Sequence, residues 1–147
     1  MDSTIQLIFT VVGAALVLVA AYGAFTKNRR LFLSGFCYFS ILPIIGEYMA
    51  YRTAKSHEHL FVMVLYLIQF LLTLPDKNIY ASDNKPALAA VTKIALAIVV
   101  INIMGVLYIF HFTRAVPMQF GYYHVTFTLI MLYVLSKRFF GTISWAK

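Results

Sequence analysis

The chain is poor in charge. Only 12% of its 147 residues are Asp, Glu, Lys or Arg, and only five of those are acidic. A soluble domain carries about a quarter charged residues, so an ordinary solvated globule is excluded. Cysteine is nearly absent: Cys37 stands alone. No intrachain disulfide, CxxC pair or Cys/His zinc set can form, and a lone cysteine in an apolar run reads as a small core side chain. Nucleotide-binding and hydrolase signatures such as the phosphate-binding loop, GxSxG and HExxH are missing, as is any serine or threonine with a plausible acid–base set. There is no linker, low-complexity tract or internal repeat, so residues 1–147 read as one domain. The excess of base gives a net charge of +7. These cations sit in short clusters between apolar runs and form no continuous stripe, which excludes nucleic acid as a partner.

What the chain has in quantity is hydrocarbon, with 62% hydrophobic residues. They fall into continuous runs that do not alternate with polar residues, which rules out membrane strands. Five helices are expected, over about residues 5–25, 31–51, 58–75, 86–110 and 118–139. A helix rises ~1.5 Å per residue, so about 20 residues cross the ~30 Å hydrocarbon layer. The expected fold is therefore an all-α, polytopic integral membrane bundle of five transmembrane helices. Ser56 is the expected cap of the third helix, and Asp83–Asn84 before Pro86 the cap of the fourth. Pro43 is expected to kink the second.

Orientation follows from the placement of cations. The first run is preceded by Asp2 and followed by Lys27, Arg29 and Arg30, which suits a retained helix with its N-terminus outside rather than a cleaved leader. Five crossings then put Lys77, Lys85, Lys137, Arg138 and Lys147 inside as well, with Lys93 snorkelling to that face. Arg52, Lys55 and Arg114 remain outside. Short loops and this bias point to a bacterial inner membrane, with an organelle membrane as the alternative.

Polar groups within the runs are the candidates for function. Glu47 lies four residues from the outer end of its helix, on one face with Ser40, Pro43 and Tyr51. A carboxylate at the bilayer centre costs at least ~2.5–3.5 kcal/mol, and less near the interface. Arg52, Arg114 and the histidines are its expected partners. Tyr66, Gln69 and Thr73 share a face of the third helix. Gln69, and Asn102 on the fourth, lie near mid-membrane, where each either bonds a neighbouring helix or lines a polar path. The four histidines, His57, His59, His111 and His124, all map to the outer side. Together with Glu47 and Glu58 they are weak candidates for a metal, proton or pH-sensing site. Their spacing matches no ligand motif, and haem would need axial histidines at mid-membrane or facing each other across a pocket. No cofactor is expected, a metal or haem being the alternative.

Small residues form the last signal: Gly13, Ala20 and Ala24 on the first helix, Ala95 and Gly105 on the fourth. In lipid such stripes let backbones approach closely, either inside one bundle or against another chain. With no catalytic set in view, the first functional expectation is a small subunit packing through these helices into a larger membrane complex or homo-oligomer. The second is an oligomeric ion, proton or small-molecule channel or transporter with a path near Tyr66, Glu47, Gln69 and Asn102. The third is a membrane enzyme with an outer-side metal or redox site. The bilayer and other membrane subunits, or further copies of this chain, are the expected partners.

The topology is directly testable. A fluorescent protein that folds only in the cytoplasm should light up when fused to the C-terminus and stay dark at the N-terminus. Matching signals at both ends would contradict an odd number of crossings.

Overall fold

A computed structural model describes residues 3–75, 85–113 and 116–137 of the chain. Among them every regular element is helical: α1 (Ser3–Phe25), α2 (Arg29–Ala54), α3 (His57–Leu72), α4 (Lys85–Leu107) and α5 (Met118–Ser136). The last turn of α4 widens into a π-helical turn, Tyr108–Phe112. Each helix packs against the next in sequence, and α5 closes back on α1, so the five form a ring. The α3–α4 seam is the loosest in the ring.

Local chemistry accounts for the ends. Asn28 caps α2, its side-chain oxygen accepting from the Leu31 N–H at 3.2 Å, as a residue at this position should. Lys55 closes α2 in the left-handed conformation at φ 55° and donates its N–H to the Tyr51 carbonyl. Ser56 stands at the N-cap of α3 as expected, but its hydroxyl donates to Glu58 at 2.9 Å instead of capping the backbone. α2 continues through Pro43 without interruption. The expected cap at Asp83–Asn84 and the cations Lys77, Arg114, Arg138 and Lys147 lie outside the described residues, and nothing is described of the Pro86 side chain.

Three helical stretches are long and apolar enough to cross a membrane: Ser3–Phe25, Arg29–Ala54 and Ala89–Phe112. α3, with 16 residues, is shorter. α5, with 19 residues, is not among these three.

The distribution of polarity is the reverse of a soluble bundle's. Leu18, Ile45, Leu71, Val100 and Leu129 are exposed, while Ser40, Glu47, Gln69, Thr73, Asn102 and His124 are buried. In water that arrangement would leave a large apolar surface wet on every helix. In hydrocarbon the outward side chains cost nothing, and the inward polar groups must find one another.

An apolar core fills the half of the ring near the α1–α2 turn. Phe36 and Phe39 of α2 meet Phe127 of α5 with ring centroids 4.5 Å apart, packed with Val17, Phe32, Ile98 and Met131. The α1–α2 crossing is tight because Gly35 faces Ala20. A Cβ on Gly35 would lie 2.6 Å from the Ala20 backbone nitrogen and 2.7 Å from the Leu16 carbonyl oxygen. Both are backbone atoms, which cannot rotate away.

A Gly35→Ala chain should therefore lose about 1–3 kcal/mol of stability, the usual cost of overpacking. Denaturation of the purified protein in mixed maltoside and dodecyl sulfate micelles measures it. An unchanged midpoint would mean that α1 and α2 do not cross at this point.

Candidate functional site

α3 carries polar side chains on its inward face from end to end. Tyr66, Gln69 and Thr73, expected to share a face, are all buried there. At the N-terminal end of α3 His59 turns inward too, and its Nδ1–H donates to Glu47 Oε2 of α2 at 2.6 Å. At ~1.5 Å per residue, α3 is ~24 Å long. The polar line along it thus covers most of the thickness of a hydrocarbon layer.

The central part is a chain of hydrogen bonds across four helices, and its direction can be deduced from one acceptor. The Ile98 carbonyl oxygen accepts from Asn102 Nδ2 at 2.9 Å. A carbonyl oxygen cannot donate, so the amide of Asn102 is fixed with its nitrogen on that side. The second hydrogen of Nδ2 goes to Gln69 Oε1 at 2.8 Å. This orients Gln69, whose Nε2 donates to Ser40 Oγ at 3.0 Å. The Ser40 hydroxyl passes its own hydrogen to the Phe36 carbonyl at 2.8 Å. In the other direction Asn102 Oδ1 faces His124 Nδ1 at 3.0 Å, and an oxygen there requires Nδ1 to carry the proton. In the neutral ring Nε2 is then left as an acceptor, and the Tyr66 hydroxyl donates to it at 3.0 Å. Tyr66, His124, Asn102, Gln69 and Ser40 form one row with every donor pointing the same way.

Toward the N-terminal end of α3, Tyr108 of the π-turn lies on the same side of the bundle as Glu47. Glu47, Tyr66, Tyr108 and His124 line a cavity of ≈ 100 Å³ whose other walls are mainly apolar. One water needs about 10–15 Å³ of such space, so the cavity has room for water beside polar partners. A larger, open, almost wholly apolar groove of ≈ 250 Å³ follows the α3–α4 seam and shares Val62, Tyr66, Gly105 and Tyr108 with the cavity.

The structure separates the histidines. His59 pairs with Glu47 and His124 belongs to the buried row, whereas His57 and His111 are exposed. Among the described residues no three His, Cys, Asp or Glu side chains gather as metal ligands. Arg52, an expected partner of Glu47, is exposed instead, and Arg114, the other, lies outside the described residues. His124, expected on the outer side, is buried within α5, on a stripe that runs Phe120, Gly121, His124, Phe127, Met131. That stripe, at steps of one, three and four, was the available sequence signal.

The small residues are used within the chain. Gly13, Ala20, Ala24, Ala95 and Gly105 are all buried against this chain's own helices. Gly13 faces Tyr123 of α5, whose hydroxyl donates to the Thr10 carbonyl at 2.9 Å. Gly105 has the most specific part. A Cβ built on it falls on the Tyr66 hydroxyl and lies 3.1 Å from the His124 ring, so the Tyr66–His124 bond needs a glycine at this position.

Compared with known proteins, the chain matches no family, no curated protein and no solved structure.

Gly105→Ala should displace the Tyr66 hydroxyl and cost about 1–3 kcal/mol. In a Tyr66→Phe background, where the obstructing oxygen is gone, the same alanine should cost at least about 1 kcal/mol less, a coupling typical of side chains in contact. A double-mutant cycle of unfolding free energies reads this, and strict additivity would deny the contact.

Proposed function

We propose that this chain is a five-crossing transporter of the cytoplasmic membrane, N-terminus outside, that takes up a proton or small solute at an outer site centred on Glu47. The observation that carries the reading is the polar column inside an apolar shell: His59 and Glu47 at the mouth, the cavity beneath them, then Tyr66, His124, Asn102, Gln69 and Ser40. The His59 side chain is 16% exposed and that of Glu47 8%, so the pair stands at the edge of the buried column. Ionisable residues facing the inside of a membrane bundle usually mark ion or substrate pathways.

The row also limits the mechanism. Protons can pass between imidazole, carboxyl, hydroxyl and water by exchanging hydrogen bonds. An amide nitrogen holds its hydrogens and has no basic lone pair to accept another. Asn102 and Gln69 thus close the row below His124 to proton hopping. A route from outside stops at His124 Nε2 in this arrangement, so release to the other side needs a rearrangement of helices. Such a protein works as a gated carrier with one side occluded, not as an open pore. The loose α3–α4 seam is where the ring yields most easily.

Assembly into a larger complex is the second reading. It is supported by the outward face of α1, where Leu7, Val11, Leu18 and Phe25 are exposed. Lipid or another chain suits that face equally, whereas the small residues are already occupied.

Reconstitution decides between them. Proteoliposomes loaded with a pH-sensitive dye and driven by a potassium diffusion potential should acidify faster than empty vesicles. Glu47→Gln should slow this at least tenfold while the protein remains helical and monodisperse. Wild-type vesicles no faster than empty ones would end the proton reading, and native purification in mild detergent would then show whether another subunit accompanies the chain.

A further inference from the structure

The walls of the cavity are more selective than a proton requires. They include the rings of Phe9, Phe39, Tyr66, Tyr108 and Phe120 and a single carboxylate, Glu47. No lysine or arginine lines either the cavity or the groove beside it, and the one further charged residue, Glu58 on the groove, is acidic too. His59 occupies one of the roughly four acceptor positions of the Glu47 carboxylate, leaving others for a ligand in the cavity it lines. A metal ion is poorly served, since one carboxylate supplies too few ligands and no set of three His, Cys, Asp or Glu side chains exists among the described residues. Aromatic rings around a carboxylate are instead the surroundings that favour an ammonium group, attracted both to the ring faces and to the negative charge.

Size and shape narrow the class. The ≈ 100 Å³ cavity admits a head of only a few heavy atoms. The adjoining groove is apolar and open, and Gly105, without a side chain, stands at their shared wall. We infer that the cavity binds a small organic cation, a methylated ammonium with a short aliphatic tail, its head among the rings beside Glu47 and its tail along the α3–α4 groove. This rests on Glu47 being the centre of the transport site and names the solute class that site takes.

The test is equilibrium binding of tritiated choline to the full chain purified in maltoside. Binding should be saturable. Butyltrimethylammonium should displace choline, and do so at lower concentration than tetramethylammonium, because its extra methylenes enter the groove. The neutral carbon analogue 3,3-dimethylbutan-1-ol should fail to compete at a hundredfold higher concentration. Glu47→Gln should weaken binding at least tenfold. Phe9→Leu, which leaves the carboxylate untouched, should weaken it several-fold, and it decides the matter if circular dichroism shows that the glutamine variant does not fold. No saturable binding, equal competition by the alcohol, or wild-type affinity in the folded variants would overturn the inference. Proton uptake by proteoliposomes without choline binding would remove the cation and leave the carrier. Choline binding without transport of either species would do the reverse.

Discussion

The interior of this protein is ordered from a single backbone carbonyl. Ile98, one turn before Asn102, offers the acceptor that decides which way the asparagine amide faces. Every later assignment follows by elimination: Gln69 must present its oxygen, Ser40 must accept, and His124 must carry its proton on Nδ1. In water such a row would be one of many, because solvent could replace any member. Inside hydrocarbon no replacement exists, and among the described residues no buried side-chain polar atom lacks a partner. A helix rotated about its axis would break the row at one point and leave two groups unsatisfied.

This constraint explains why α3 can be held although it is short. Hydrogen bonds between membrane helices contribute only about 0.6–2 kcal/mol each. α3, however, is tied to α2 through Gln69–Ser40 and Glu47–His59, to α4 through Gln69–Asn102, and to α5 through Tyr66–His124. The apolar core, gathered on the other side around Phe36, Phe39 and Phe127, involves α3 little. Two kinds of adhesion therefore divide the molecule. Close packing joins α1, α2, α5 and the core-facing part of α4 (Ala95, Ile98, Val99), and polar pairing ties α3 to the rest. The second kind is weaker against displacement and better suited to a moving seam, which agrees with the groove opening along α3 and α4.

The candidate site lies where these regimes meet. Its floor is the end of the fixed row, Tyr66 and His124. Its walls are aromatic, and its mouth is the hydrogen-bonded His59–Glu47 pair. A site with a rigid base and a loose side is one that can change access without losing its ligand contacts, the requirement for carrying a solute across a barrier.

Much of the fold was legible in order of residues. The places of the five helices, the cap at Asn28 aside, followed from the length and continuity of the apolar runs. The candidate residues Glu47, Tyr66, Gln69 and Asn102 were legible for a related reason: each is a polar group in a run where polarity carries a cost. Periodicity also grouped Tyr66, Gln69 and Thr73 on one face. What periodicity cannot supply is the rotation of one helix relative to another. It therefore gave no means of telling that His59 rather than Arg52 meets Glu47, that Tyr108 turns inward at a π-turn, or that His124 joins the row instead of a histidine cluster. The small residues illustrate the same limit, since Gly105 beside a lipid, a second chain or a tyrosine hydroxyl reads identically along the chain. The sequence determined how many helices form and which groups need partners, since those depend on the solvent each residue can tolerate. Tertiary structure alone decided which partners they found, because hydrogen bonds and close contacts depend on angles and distances of a few tenths of an ångström between segments far apart in the chain.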